Sequence, residues 1–410
     1  MRRQGSIDWK RNIYAIFTAE VIAIAGFSVS MPLIPFYVQE LGVTDPMRLK
    51  FWVGAANAAG SITLAVFASL WGKIADAYGR RPMLLRAMFG GATVIGLMGL
   101  VARPWQLVLL RALQGTVTGT VTAANTLVAS VTPEEKTGYG LGLVQTAVFV
   151  GSTGGPMLGG IIADVAGPRA AFFVTSLLLF AGGLVIMRFV HEDFVRQPGA
   201  RSFWRQIVPD FRLVTASPGL LVLFLIIFTV YTARNGIMSI LPLYVQSLAR
   251  PGAPVGLITG LNFGLAALAA AGSAALVGRY SLRLGYRRAL LCCVVGAMLL
   301  FVPQALVSGP WQLLGLRIAG GIFLGGTMPA ANSLIVSLAR RENQGEVFGL
   351  SFTVGAFGMF LGPVLTSTVS AVWSYRAAFL ASSAVLLVPA AVLLARPGVR
   401  RQGSRPGSAR

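Results

Sequence analysis

The residue with the most chemical potential is Glu20, which stands in Ala19-Glu20-Val21-Ile22 with apolar sequence on both sides. It lies nine positions beyond Arg11, about 13 Å along a helix and hence close to a bilayer midplane. Loss of water penalises a carboxylate, so an acid at this depth can take up and release a proton at physiological pH. The alternative is a Glu held by a neighbouring hydroxyl or arginine to fix packing. Three permanent cations occupy similarly apolar sequence: Arg111, Arg234 and Arg317. An arginine inside a span costs at least about 2.5 kcal/mol unless it meets water, a carbonyl or a carboxylate. Arg111, about 9 Å in from its helix end, is therefore expected to face the protein interior. Tyr231, Arg234, Asn235 and Met238 follow the i, i+3, i+4, i+7 pattern of one helix face. Arg234 there either meets Glu20 across a cavity, favouring its ionised form, or snorkels outward.

Other chemistries are excluded early. The two cysteines, Cys292 and Cys293, are adjacent, so neither a disulfide framework nor a tetrahedral metal site is expected. The single His191 lies outside the apolar runs, which removes a histidine-based catalytic triad from them. The expectation is a protein that is not an enzyme and takes no metal or cofactor. No G-x-x-x-x-G-K-[ST] phosphate loop is present, so ATP does not drive it directly.

The surrounding sequence must position these groups within a membrane. Of 410 residues, 55% are hydrophobic and 11% charged, against roughly 25% charged in a soluble domain. Apolar runs of span length lie near 12–40, 52–72, 83–102, 105–131, 139–165, 170–190, 218–247, 255–280, 288–307, 311–339, 346–371 and 376–395, which predicts twelve transmembrane helices. The first run is too long for a signal peptide and has no cleavage site, so it is read as a retained span. The formal net charge is +21. With the N-terminus inside, 25 of the 34 Lys and Arg residues fall on the inner side, six in outer loops and three within spans. This obeys the positive-inside rule with both termini cytoplasmic. The basic balance then reflects topology, and no nucleic-acid partner is expected.

The sequence repeats at an offset of 206 or 207. Pro35-Phe36-Tyr37-Val38-Gln39 returns as Pro242-Leu243-Tyr244-Val245-Gln246, and Arg111 maps to Arg317. Gly155-Pro156 maps to Gly362-Pro363, whereas Glu20 maps to the apolar Ile227. Ordered matches of this kind predict an all-α membrane protein of two six-helix bundles in parallel repeat, with a substrate site between them near the midplane. The expected divisions are a first bundle over 1–190, a cytoplasmic linker over 191–217, a second bundle over 218–395 and a basic tail over 396–410.

Two motifs carry a resemblance. Between spans 2 and 3 stands Gly72-Lys73-Ile74-Ala75-Asp76-Ala77-Tyr78-Gly79-Arg80-Arg81-Pro82. Gly79 permits the turn, Arg80 and Arg81 hold the loop inside, and Asp76 can pair with an arginine or a helix N-terminus. Span 5 contains Gly151-Ser152-Thr153-Gly154-Gly155-Pro156-Met157-Leu158-Gly159-Gly160, whose glycines allow close helix approach and whose proline removes a backbone donor. The first run resembles the signature loop of the major facilitator superfamily. The second is similar to the motif of its twelve-helix drug/proton antiporter branch. The resemblance implies that Asp76 is a conformational latch stabilising the outward-open state, that Arg111 takes part in proton transfer, and that Glu20 matches the span 1 acid used for protons and cationic drugs. The second-half copy of the loop has Leu282 in place of the acid, so only the first copy should latch. The cavity-lining set expected beside Glu20 and the Arg234 face comprises Phe27, Asn57, Gln145, Phe149, Asn262, Asn332 and Phe357.

The expected function is export of lipophilic small molecules in exchange for protons, by a monomer in the lipid bilayer of a bacterial plasma membrane. Two rivals remain open: a facilitator or symporter of a metabolite such as a sugar or organic anion, and a non-transporting receptor or scaffold.

Overall fold

The computed structural model describes residues 9–192, 218–338 and 344–395. The linker beyond Glu192 and the tail after Ala395 lie outside them. Helices account for nearly all of the described chain, and no strand forms among these residues. Span 1 comprises the helix Trp9–Ser30, a 3-10 turn Met31–Leu33 and the helix Ile34–Glu40. Pro32 and Pro35 remove two backbone donors there, which accounts for the interruption. Spans 2 and 3 are Pro46–Tyr78 and Arg80–Met98. Span 4 is Pro104–Val117 with Thr120–Val131, followed by span 5, Thr137–Ala166, and span 6, Pro168–Phe189. The second half provides Pro218–Leu248, Val255–Leu284, Tyr286–Leu306, Pro310–Leu338, Gln344–Val372 and Tyr375–Ala395 as spans 7 to 12. Eleven of the twelve are long and apolar enough to cross a membrane. Span 3 is less apolar because Arg80, Arg81 and Arg86 load its first two turns.

The local signals are legible. Span 2 begins at Pro46 with the Asp45 carboxylate accepting the Arg48 N–H at 2.7 Å, an N-cap next to an N1 proline. Spans 2 and 3 turn at Gly79 with φ +101°, a conformation that penalises a side chain.

Span 4 corrects the expectation of one helix over 105–131. Thr118 is extended and Gly119 has φ +120°, so the helix stops at Val117 and restarts at Thr120. The run Gly115-Thr116-Val117-Thr118-Gly119-Thr120-Val121-Thr122 consists of β-branched residues and glycine, all weak helix formers.

Both halves repeat the same internal bonds. The Tyr37 hydroxyl donates to the Met98 carbonyl at 2.7 Å, and its mate Tyr244 donates to the Gln304 carbonyl at 3.1 Å. Tyr37 packs on Phe172 with ring centroids 4.7 Å apart, and Tyr244 packs on Phe379 at 5.0 Å. Spans 7 to 12 share one large buried apolar cluster. Spans 1 to 6 divide theirs into smaller ones, one of which takes in Leu243 from the second half. Large apolar side chains such as Leu109, Leu177, Leu276 and Leu387 remain exposed, as a surface facing lipid requires.

Candidate functional site

For direction, the near face carries the start of span 1 and the end of span 12, and the far face carries Glu40 and Ser370. A cavity of about 370 Å³ runs from Phe27 and Met31, midway along span 1, to Ala75 and Met83 at the near-face ends of spans 2 and 3. The broken stretch of span 4 forms much of its wall through Thr118, Gly119 and Thr120, and span 11 contributes Phe352 and Met359. A second cavity of about 260 Å³ lies between the halves and is bordered by Asn57, Arg234, Asn235 and Met238. The two share Met31, Ser61 and Met359 as boundary residues.

Glu20 is fully buried, and neither carboxylate oxygen has a hydrogen-bond partner. The Thr120 side chain lies beside it without reaching hydrogen-bonding geometry. Glu20 borders neither cavity; its neighbours along the chain and across to span 4, Ile24 and Thr120, form the wall of the larger one. Arg111 does border that cavity. It is buried, donating from Nη1 to Gln114 Oε1 at 2.6 Å and from Nη2 to Asn57 Oδ1 at 3.4 Å, while its Nε has no partner. Its repeat mate Arg317 is equally buried and close enough to Arg234 for the two charges to repel. Arg234 thus belongs with Arg317 and the smaller cavity, and no ion pair joins it to Glu20 among the described residues.

The remaining expected lining residues divide. Phe27 and Asn57 border a cavity, as do Arg234, Asn235 and Met238. Tyr231 instead packs its ring beneath Gly355 of span 11. Asn262 is buried and donates to the Ile258 carbonyl at 2.9 Å within its own helix. Gln145, Phe149, Asn332 and Phe357 border neither cavity, and all but Phe149 are exposed.

The span 5 glycines act as close-packing surfaces on two sides. A Cβ at Gly151, Gly155 or Gly159 would lie 2.7, 2.5 and 2.3 Å from backbone atoms of Ala25 or Val29 in span 1. On the other side, a Cβ at Gly160 would lie 2.2 Å from the Gly256 carbonyl oxygen of span 8, and the Pro156 carbonyl abuts Gly260. Span 5 therefore joins span 1 of its own half to span 8 of the other. Asp164, one turn beyond Gly160, completes this contact by accepting the N–H groups of Gly256 and Leu257 at 2.9 and 2.8 Å. These are orphan donors in the first turn of span 8, where a helix end favours a negative group.

Two further contacts tie the halves at the far face. Lys50 Nζ donates to the Ser370 carbonyl near the end of span 11 and lies 4.4 Å from the Tyr375 ring centroid. The repeat mates Gln39 and Gln246 bond each other's amides at 3.0 and 3.4 Å. Sequence reasoning missed Asp164 and Lys50 and treated Lys50 as a loop charge. The available signal was an acid one helical turn beyond the span 5 glycine motif.

In the signature loop, Gly72 and Asp76 fall in the span 2 helix, and their surroundings lie outside the described residues. Span 3 opens with the Glu192 carboxylate accepting the backbone N–H groups of Arg80 at 3.0 Å and Arg81 at 2.7 Å. Asn12 and the His191 backbone bond each other twice, at 2.8 and 3.1 Å, which fastens the chain after span 6 to span 1.

Comparison with known proteins agrees with this architecture. A multidrug resistance protein MdtG from Dickeya zeae (strain Ech586) is 34% identical over 387 residues, covering 94% of each chain. Its counterpart from Enterobacter lignolyticus (strain SCF1) is 35% identical over 385 residues, covering 93% of this chain and 91% of that one. Among solved structures, an inward-facing bacterial homologue of the human lysosomal transporter Spinster aligns over 95% of this chain and 97% of its own, with TM-score 0.77 at 14% identity. The human organic anion transporter MFSD10 (TETRAN) aligns over 94% and 99%, with TM-score 0.68 at 19% identity. At these identities the two structures speak for the fold alone. The sequence model of the Major Facilitator Superfamily matches residues 16–310 and 223–410. The chain belongs to that superfamily.

Proposed function

We propose that the protein exports lipophilic small molecules in exchange for protons, by alternating access between bundles at 1–190 and 218–395 joined by the 191–217 linker. The observation that carries this reading is Glu20, wholly buried with both oxygens unpartnered behind the wall of the cavity. An unpaired carboxylate out of water is costly, so this conformation accommodates the neutral acid. A state that admits water or a cation to Glu20 would accommodate the charged one, and a difference of that kind links protonation to conformation. With the near face cytoplasmic, the far-face contacts of spans 5 and 8 close the exit while the cavity reaches inward. The multidrug resistance relatives support small-molecule export, and the protein works as a monomer in the bacterial plasma membrane.

The test is Glu20→Gln in proteoliposomes under an imposed pH gradient. Expression is expected to stay normal and proton-driven transport to disappear; wild-type transport in the variant would refute the assignment. A facilitator or symporter of an organic anion draws support from the arginines on the cavity walls; gradient-independent flux would favour the facilitator, and flux in the same direction as the protons the symporter.

A further inference from the structure

We infer that the larger cavity takes an organic anion with an apolar body, its anionic head held by Arg86 against Trp71. The inference deepens the reading of this cavity as a small-molecule site and rests on it. Arg86 and Trp71 both border the cavity, and the Arg86 guanidinium carbon lies 3.5 Å from the Trp71 ring centroid. The indole is itself anchored, since its Nε1 donates to the Thr116 carbonyl. Stacking on a fixed aromatic face orients a guanidinium while leaving its edge for the paired oxygens of a carboxylate or sulfonate. That edge is unused: Nε and Nη1 of Arg86 are buried and have no hydrogen-bond partner.

Charge along the path has one sign. Arg111 is the other charged residue on the described wall of the larger cavity, and its buried Nε is also unpartnered. Arg234 is the charged residue on the described wall of the smaller cavity. No Asp or Glu borders either one among the described residues. A buried donor without an acceptor loses its hydration without compensation, and an anionic ligand restores it. The rest of the wall, with Phe27, Met31, Leu64, Met83 and Met359, suits an apolar body, and the volume falls in the range of small-molecule pockets.

The repeat separates this pair from structural arginines. Arg111 has its counterpart in Arg317, so the fold uses that position twice. At the same offset Trp71 meets Val277 and Arg86 meets Cys292. The stacked pair is therefore peculiar to the first half and not a device that a six-helix bundle needs.

The experiment uses the full chain in phosphatidylcholine nanodiscs with three fluorescent probes sharing one tail: dansylamino-undecanoate, its primary amide and the corresponding amine. Binding is read without any gradient. The carboxylate is expected to bind at least about tenfold more tightly than the amide, the scale of a hydrogen bond to a charged group. Arg86→Gln should remove that advantage and Arg86→Lys should keep part of it. Equal or tighter binding of the amide or amine would overturn the inference while leaving export standing, and this charge series in the wild-type protein needs no variant to fold. Unchanged carboxylate binding in a monodisperse Arg86→Gln protein would also overturn it. If none of the probes binds, the small-molecule reading of the cavity falls as well. Repeating the titration with phosphatidylglycerol in the disc separates the two sources of an anionic head: displacement of the probe assigns the subsite to a lipid, and persistence assigns it to a soluble anion.

Discussion

Gly160→Ala should open the far face. The added Cβ would lie 2.2 Å from the Gly256 carbonyl oxygen, whereas carbon and oxygen ordinarily approach to about 3.3 Å. Spans 5 and 8 must therefore separate by roughly 1 Å at this point. Their carboxylate bonds, now 2.9 and 2.8 Å from Asp164 to Gly256 and Leu257, would lengthen past the limit of a hydrogen bond. Hydrogen bonds to a charged group contribute about 1.5–3 kcal/mol each when buried. Asp164 is exposed, so about 1–2 kcal/mol for the pair is the better figure. That corresponds to a shift of roughly 5- to 30-fold toward conformers with spans 5 and 8 apart. Spin labels at Thr44→Cys and Arg250→Cys, in a Cys292→Ser/Cys293→Ser background, report the distance between the halves at the far face by double electron–electron resonance. A longer population should appear or grow in Gly160→Ala. Gly154→Ala is the control, because nothing lies within 4 Å of a Cβ there. The reasoning fails if the distance distribution of Gly160→Ala matches wild type, or if Gly154→Ala shifts it equally.

Asp164→Ala should move the same distance distribution in the same direction by a smaller amount, since it removes the bonds without forcing the backbones apart. Lys50→Met should add to that shift by freeing the Ser370 carbonyl, and additivity within error in the double variant would confirm that the two contacts act separately. Tyr37→Phe and Tyr244→Phe should each destabilise the protein by about 1 kcal/mol, read as similar falls in thermal midpoint, because each deletes one buried hydrogen bond to a carbonyl. Asp76→Asn should slow transport while leaving equilibrium binding of the probes intact; unchanged turnover would remove the latch assignment.

The repeat made much of the fold legible because each half carries its own copy of the same bonds. Tyr37 and Tyr244 stand at equivalent positions in matching strings, and each reaches the carbonyl of the helix that its string requires. The apolar runs located the spans because a membrane demands length and little else. Less visible was the break at Thr118–Gly119, where an apolar run of span length hides a local conflict between β-branched side chains and helix. The cavity walls were most legible where one helix face sufficed. Arg234, Asn235 and Met238 reach a shared cavity together, as their spacing indicates. Arg86 gave no such sign: its charge fits the inner-loop pattern, and only the packing of spans 2 and 3 sets it over Trp71. Gln145 and Asn332 were chosen for polarity within a span, a property that says nothing about which side of a helix meets the cavity.

The separation of Glu20 from both cavities constrains how protons and substrate communicate under the proposed mechanism. A ligand in the larger cavity would touch Ile24 and Thr120, which line it, while the carboxyl group sits behind them. Direct displacement of the proton by substrate is then unavailable in this conformer, and competition must pass through the position of the wall. The half-helix Thr120–Val131 is the element suited to that role, because it begins at the Gly119 break and is not held by a continuous ladder to Arg111. An anion near Arg86 and Arg111 and a charge at Glu20 would then act on opposite sides of one short segment. Substrate affinity should consequently respond to Glu20→Gln even though no atom of Glu20 lies on the cavity surface. A probe affinity identical in wild type and variant across the pH range would show that the two sites do not communicate in this state.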